Sequence, residues 1–194
     1  VPAFAAGDLV RAESQVAARE LDAIEYASVA TVTLAYPPEA LPAPLIGTGF
    51  LVPRQEPLLL VGCTWLSAKW PHLAGSRLML LRCAVGRAGD ERWRELDDEA
   101  LVARVHADLV RTMGLRRAPL EARVTRWEKA IPQYTVGHLD RLRRIEGALS
   151  HLPGVMLAGS AYRGVGITSC VAQAKAAAFR TLEGLATRTA EAIL

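Results

Sequence analysis

The last third of the chain places the tightest constraint on the fold. An apolar run, Val155-Met156-Leu157-Ala158, passes through glycines at 159, 164 and 166 into a segment with helical spacing at Val171, Ala174, Ala178, Leu182 and Leu185. This pattern predicts a strand, a glycine turn and a helix, with Ser169 as the helix N-cap. Glycine lets the backbone of such a turn approach another body closely, and the helix start behind it offers free N–H groups and the positive end of the macrodipole. A phosphate, a carboxylate or a reduced flavin ring would suit the turn, as would plain packing between a buried strand and a surface helix. Gly-Lys-Ser/Thr is missing, and Gly-x-Gly-x-x-Gly fails because residue 169 is serine. A lone strand and its helix cannot bury both faces, so the tail should dock on something larger.

Upstream the period changes. Ser28–Tyr36 is rich in β-branched residues and stops at Pro37-Pro38; Ile46–Pro53, Leu58–Trp65 and Arg77–Gly86 follow as three further apolar runs. Four successive strands are predicted, antiparallel where short connections join neighbours. Asp97-Asp98-Glu99 should open a helix with Leu101, Val102, Val105, Leu109 and Met113 on one face and Gly114 as its stop. Residues 122–127 read as a strand, 131–134 as an extended turn and 139–149 as a second amphipathic helix, whose Arg141, Arg143 and Arg144 form a solvated basic face. Residues 8–25 read as one or two short helices. The fold class expected is α+β, a mixed α/β arrangement with a mostly antiparallel sheet.

Composition narrows the function classes. With 194 residues, 51% hydrophobic and 22% charged, the chain should fold rather than stay disordered. Its net charge of +3 and pI near 9.0 are a mild excess, and no cluster of basic residues with interleaved aromatics marks a nucleic-acid partner. Cys63, Cys83 and Cys170 lack metal-ligand spacing and read as reduced thiols of a cytoplasmic protein, and no metal site is expected. No apolar run reaches the roughly 18–20 residues of a transmembrane segment, and the start carries no basic n-region of a signal peptide. It also lacks an initiator methionine, as would a segment from inside a longer protein or a mature chain that had been trimmed. The four histidines are scattered, and His106 reads as a solvent-side residue of its helix. No Ser-His-acid set, His-Glu-x-x-His or paired carboxylate appears, so no catalytic side chain is assigned. Trp65, Trp70 and Trp127 are either core or suited to a wide, flat, apolar ligand.

Taken together, Ile131-Pro132-Gln133-Tyr134-Thr135-Val136-Gly137-His138, Leu157-Ala158-Gly159-Ser160-Ala161-Tyr162-Arg163-Gly164-Val165-Gly166-Ile167 and Gly47-Thr48-Gly49-Phe50-Leu51-Val52-Pro53 resemble the C-terminal portion of the FAD-dependent protoporphyrinogen/coproporphyrinogen oxidases. These belong to the amine-oxidase-like flavoproteins. The strand ending Leu34-Ala35-Tyr36 fits as well, so the resemblance runs nearly end to end.

The resemblance implies residues 1–126 as part of a substrate-binding lobe and residues 127–194 as the C-terminal part of a Rossmann-like FAD domain, with its terminal strand and helix. It implies an enzyme of haem biosynthesis that removes six electrons from a porphyrinogen substrate and passes them to oxygen or another electron acceptor. Gly164, Val165, Gly166 and Ile167 would face the flavin, their N–H groups and helix start stabilising negative charge on its reduced ring. Trp127 matches a cofactor-contacting position; Leu45, Ile46 and Trp70 match positions lining the porphyrinogen pocket. The chain departs from the family in two ways: it has no Gly-x-Gly-x-x-Gly for the FAD diphosphate, and Thr168 stands where proline is usual. Without the first, the chain alone should be inactive, and an exposed docking face would drive self-association. The rival reading is a non-catalytic module that binds porphyrin or a protein partner through its sheet.

Overall fold

The computed structural model describes residues 1–73, 77–152 and 154–191, with side chains through residue 184. Two compact units emerge, Ala27–Ala130 and Val1–Tyr26 together with Ile131 onward. The expected boundary was a single cut after residue 126. Instead the first 26 residues group with the C-terminal tail, because their small apolar side chains pack there.

The first unit is built on a five-stranded sheet of order β2-β3-β4-β1-β5. Its strands are β1 (Tyr26–Tyr36), β2 (Gly49–Leu51), β3 (Leu60–Trp65), β4 (Met79–Val85) and β5 (Glu121–Pro132). The pairs β1–β4, β2–β3 and β3–β4 are antiparallel. The Ala35 carbonyl accepts from the Leu120 N–H at 2.8 Å, and Ser28 Oγ accepts from the Lys129 N–H at 3.0 Å. Numbering thus rises along β5 as it falls along β1, and this pair is antiparallel too. β5 runs well beyond the predicted 122–127, taking in the first half of the expected turn at 131–134. Lys129 sits in it at φ 46, a left-handed kink two residues past Trp127.

Alternation along β1 explains the core. Ala30, Val32, Leu34 and Tyr36 are fully buried, with Leu60, Leu81, Cys83 and Val85 from the neighbouring strands. One helix covers this face: α4 (Asp98–Met113) contributes Leu101, Val105 and Leu109, all without exposed surface. The Asp97 carboxylate caps it by accepting from the Ala100 N–H at 2.8 Å, and Gly114 ends it at φ 69, as predicted. A short helix, α3 (Leu66–Lys69), follows β3. Buried Asp108 on α4 accepts from the N–H groups of Leu59 and Leu60 at 2.8 and 3.0 Å, fastening the helix to the start of β3. Trp93 is wholly buried and fixes its neighbour: a Cβ on Gly86, at φ 89, would lie 2.4 Å from its Nε1.

His106 differs from expectation. It is half-buried, stacked on Tyr36, with Nδ1 2.9 Å from the Tyr36 hydroxyl. Position on the helix suggested solvent, but Tyr36 ends a buried strand and supplies a partner. Burial pushes the His106 pKa below its ordinary 6.5 and the Tyr36 phenol well above its own range.

The second unit holds α1 (Ala3–Val10), α2 (Gln15–Asp22), α5 (His138–Leu149) and α6 (Ile167–Glu191). Ala3, Ala6, Ala17, Ala18 and Leu21 pack with Leu142, Ile145 and Leu149 of α5. Arg143 and Arg144 of α5 are solvated, as expected, Arg141 is half-buried, and each has an acidic neighbour. Glu20 accepts from Arg144 at 2.7 and 3.0 Å and lies 3.6 Å from Arg141, while Arg143 pairs with Asp140. Hydrogen bonding to Arg144 holds the Glu20 carboxyl below its usual range.

Two expectations about the tail are corrected. Val155–Ala158 forms no strand: it has no ladder partner among the described residues, and apolar character alone cannot supply one. Ser169 is not the N-cap but the third residue of α6; the Gly166 carbonyl accepts the first intrahelical bond, from the Cys170 N–H at 3.0 Å. The stripe at Val171, Ala174, Ala178 and Leu182 is exposed, whereas the half-buried side of α6 carries Gln173, Ala177, Thr181 and Gly184. The side chain of Leu185 lies outside the described residues.

Candidate functional site

Two conspicuous sequence motifs of the second unit meet in space. The Tyr134 hydroxyl donates to the Ser160 carbonyl at 2.7 Å and accepts from the Gly164 N–H at 2.8 Å, so one oxygen bridges both arms of the glycine turn. The Tyr134 ring stacks on His138, centroids 3.9 Å apart and planes 13° from parallel. His138 Nε2 lies 2.8 Å from the Tyr162 carbonyl. A carbonyl can only accept, so Nε2 is the donor; Nδ1 is buried without a protein partner. Tyr162 is buried beside it, and loss of solvent raises its phenol to about 12.

This clamp presents a backbone surface. Gly164 has φ 125, and a Cβ there would lie 2.8 Å from the Ser169 side chain; around Gly166 a Cβ would meet nothing. Val165 and Ile167 are exposed, and the N–H groups of residues 167–169 lie before the first intrahelical bond. Gly164, Val165, Gly166 and Ile167 therefore form one contiguous edge, positive by dipole and free of bulky side chains at its two glycines.

The other predicted residues lie in the sheet unit. Trp127 is half-exposed on β5 and lines an open groove with Thr31, Thr33, Arg82, Arg123 and Thr125. Leu45 lines a separate groove with Leu41, Pro42, Ser67, Ala68 and Met79. Neither Ile46, which is almost wholly exposed, nor Trp70 lines that groove; Trp70 instead has the Lys69 ammonium 5.7 Å from its ring. Sequence reading missed the threonines and arginines around Trp127. The signal was there in the period of two: 29, 31 and 33 on β1, and 123, 125 and 127 on β5, fall on the face opposite the core.

Other chemistries find little here. Among the described residues no three His, Cys, Asp or Glu side chains gather as a metal site. Cys63 and Cys83 face each other across β3–β4 with sulfurs 3.8 Å apart, and the shared S–H contact together with burial holds the Cys83 thiol well above its ordinary range, unlike a nucleophile.

Residues 5–182 match the family model of flavin-containing amine oxidoreductases. The chain belongs to this family. It is 41% identical over 151 residues to coproporphyrinogen III oxidase of Bacillus subtilis, covering 77% of this chain and 32% of that protein. Rice chloroplastic protoporphyrinogen oxidase is 32% identical, over 88% of this chain and 34% of its own length. A crystal structure from Exiguobacterium sp. 255-15, provisionally named a protoporphyrinogen oxidase, superposes with a TM-score of 0.81 at 35% identity, covering 95% of this chain and 40% of that one. Reduced UDP-galactopyranose mutase, at 14% identity and a TM-score of 0.55, shares the fold. The chain spans about a third of the length of the curated relatives it matches.

The family's cofactor is FAD. The glycine edge fits one rim of a flat, electron-rich ring, because nothing lies within 4 Å of a Cβ at Gly166 and the helix N–H groups behind it have no intrahelical acceptor. Among the described residues no helix is long and apolar enough to cross a membrane.

Proposed function

We propose that this chain is the C-terminal part of an FAD-dependent porphyrinogen oxidase acting in the cytoplasm in haem biosynthesis, and that it needs the remainder of such a protein for activity. The observation that carries this reading is the Tyr134 clamp, which fixes the Gly159–Gly164 turn, so that Gly164 and Gly166 present backbone between the exposed side chains of Val165 and Ile167.

When bound, FAD supplies the oxidising chemistry, accepting electrons from the porphyrinogen and passing them to oxygen or another acceptor. The contributions of this chain are positional. Gly164, Val165, Gly166 and Ile167 hold one rim of the ring by backbone contact, and the start of α6 places partial positive charge where negative charge builds. Trp127 offers the cofactor a flat apolar face, and Leu45, Ile46 and Trp70 offer the macrocycle apolar surface. No side chain of the chain needs to titrate, since orientation against a redox ring does the work.

The test is air oxidation of coproporphyrinogen III, followed by porphyrin fluorescence, with FAD and the longer gene product that carries this chain. Fluorescence should rise with that product and fail to rise with the 194-residue chain alone. Gly164→Val should slow the reaction at least 10-fold, because the added side chain would meet Ser169 and displace the turn. A gene product that neither retains flavin nor forms porphyrin would overturn the reading.

A further inference from the structure

We propose that the open face of the sheet is a carboxylate-recognition site for the acid side chains of a tetrapyrrole, with Arg82 and Arg123 as its anion-binding groups. This rests on the porphyrinogen reading above and adds residues that the sequence reading did not select.

One face of the sheet is sealed by α4; the opposite face is a shallow groove of about 550 Å³ within a single unit. Its lining is mixed: Thr31 and Thr33 on β1, Thr125 on β5 and Arg82 on β4, the last paired directly across from Thr33, stand beside Val29, Trp127 and Ala130. Arg123 joins from β5, with β1 lying between β4 and β5, so the two guanidinium stems start roughly 10 Å apart, two strand spacings.

The charge in this groove is unbalanced. No aspartate or glutamate lines it, and neither Arg82 nor Arg123 has an ion pair or side-chain hydrogen bond among the described residues. The neighbouring Arg126, one residue from Trp127 on the other face, is by contrast paired with Asp98 and the Leu96 carbonyl, as Arg94 is with Glu128. Two uncompensated guanidinium groups above hydroxyl donors attract anions, and guanidinium matches carboxylate geometry in a two-pronged fashion. Half-exposed Trp127 adds a flat apolar wall, so the occupant that fits is a flat ring carrying acids rather than a polyphosphate or a free small anion.

The test is equilibrium titration of the 194-residue chain with coproporphyrin III and with its tetramethyl ester, read from the porphyrin absorption band. Wild type should prefer the free acid, with affinity falling as salt rises. Arg82→Gln and Arg123→Gln should each weaken binding of the acid about 5- to 10-fold, leave the ester unaffected and flatten the salt dependence; Arg82→Lys should recover part of the loss. Both arginines are exposed, so thermal unfolding of the variants should match wild type. Equal affinity for acid and ester, or unchanged acid affinity in the double variant, overturns the proposal. So does a double variant whose effect is on oligomeric state by light scattering, which would make the face a protein contact. Loss of acid binding in a gene product that oxidises no porphyrinogen would retain the carboxylate site and sink the oxidase reading. Unchanged KM in an active double variant would do the reverse.

Discussion

The two units solve the same problem, an apolar face that must be covered, with different completeness. In the sheet unit every core-facing position of β1 beyond Ser28 is buried, and α4 supplies a matching stripe. In the other unit α6 turns its apolar stripe outward: Val171, Phe179 and Leu182 are 49, 68 and 63% exposed. Burying such side chains would contribute roughly 1.5–3 kcal/mol each. The sheet unit is thus closed on its core side and open only where its surface is polar, whereas α6 is open where it is apolar. The difference teaches where each finds its cover: the sheet buries its apolar face against α4, and the glycine turn is held by the Tyr134 hydrogen bonds and by buried Ala161 and Tyr162.

The largest effect should come from a change that breaks the closed unit. Gly86→Ala places a methyl group against Trp93 in a backbone conformation that disfavours any side chain. Strain and overpacking together should cost about 3 kcal/mol, read as a lower urea midpoint at unchanged slope. A loss below about 0.5 kcal/mol would mean that the Trp93 layer is loosely packed and the contrast between units overstated.

A smaller effect should sharpen the contrast from the other side. Tyr134→Phe removes the hydroxyl that bridges Ser160 and Gly164 but keeps the ring on His138. Losing these two bonds should cost about 1–2 kcal/mol locally, and amide exchange should quicken at residues 160–166 while β1 and β4 keep their protection. Equal loosening of both regions would show that the turn and the sheet unfold as one.

Much of the sheet unit was legible because its signals are local. β-branched runs bounded by Pro37-Pro38, the capping Asp97 and the stop at Gly114 each act within a few residues. What failed required knowledge of partners. Val155–Ala158 is apolar like a strand yet has no ladder, and the spacing along α6 identifies an apolar face without saying what covers it. His106 looked solvated because its partner Tyr36 is 70 residues away. At the site, the two motifs around Tyr134 and Gly164 were visible as separate segments, but the oxygen joining them was not. Arg82 and Arg123 were hidden differently: each is an ordinary surface arginine until strand alternation places both on Trp127's face.

The pH dependence of the sheet unit should be modest. Burial lowers the folded-state pKa of His106 below its ordinary 6.5, so the unfolded chain binds the proton more readily. Its contribution is therefore fully present above pH 6.5 and is lost as pH falls through the depressed folded value. Melting temperature should drop on going from pH 7 to pH 5, and His106→Gln should reduce that drop. A slope unchanged by the substitution would assign the acid sensitivity to carboxylates of the same unit such as Asp90, which hydrogen bonding to Arg92 holds below its usual range, so that its stabilising pair is lost only at lower pH.

The smallest expected effect on stability is the most direct attack on the comparison. Phe179→Asp replaces a ring on the outward side of α6 with a charge. If that stripe is uncovered in the 194-residue chain, unfolding free energy should move by no more than about 0.5 kcal/mol, the range of ordinary surface substitutions. Light scattering should at the same time show less self-association, since the charge interrupts an exposed apolar row at Val171, Phe179 and Leu182. A loss of 2 kcal/mol or more would be the signature of a buried ring, placing Phe179 inside a core and erasing the distinction between a closed unit and an open one. A small loss with unchanged association would leave the stripe bare but too weak to draw copies together. Covering it would then require a better-fitted surface than a second copy offers.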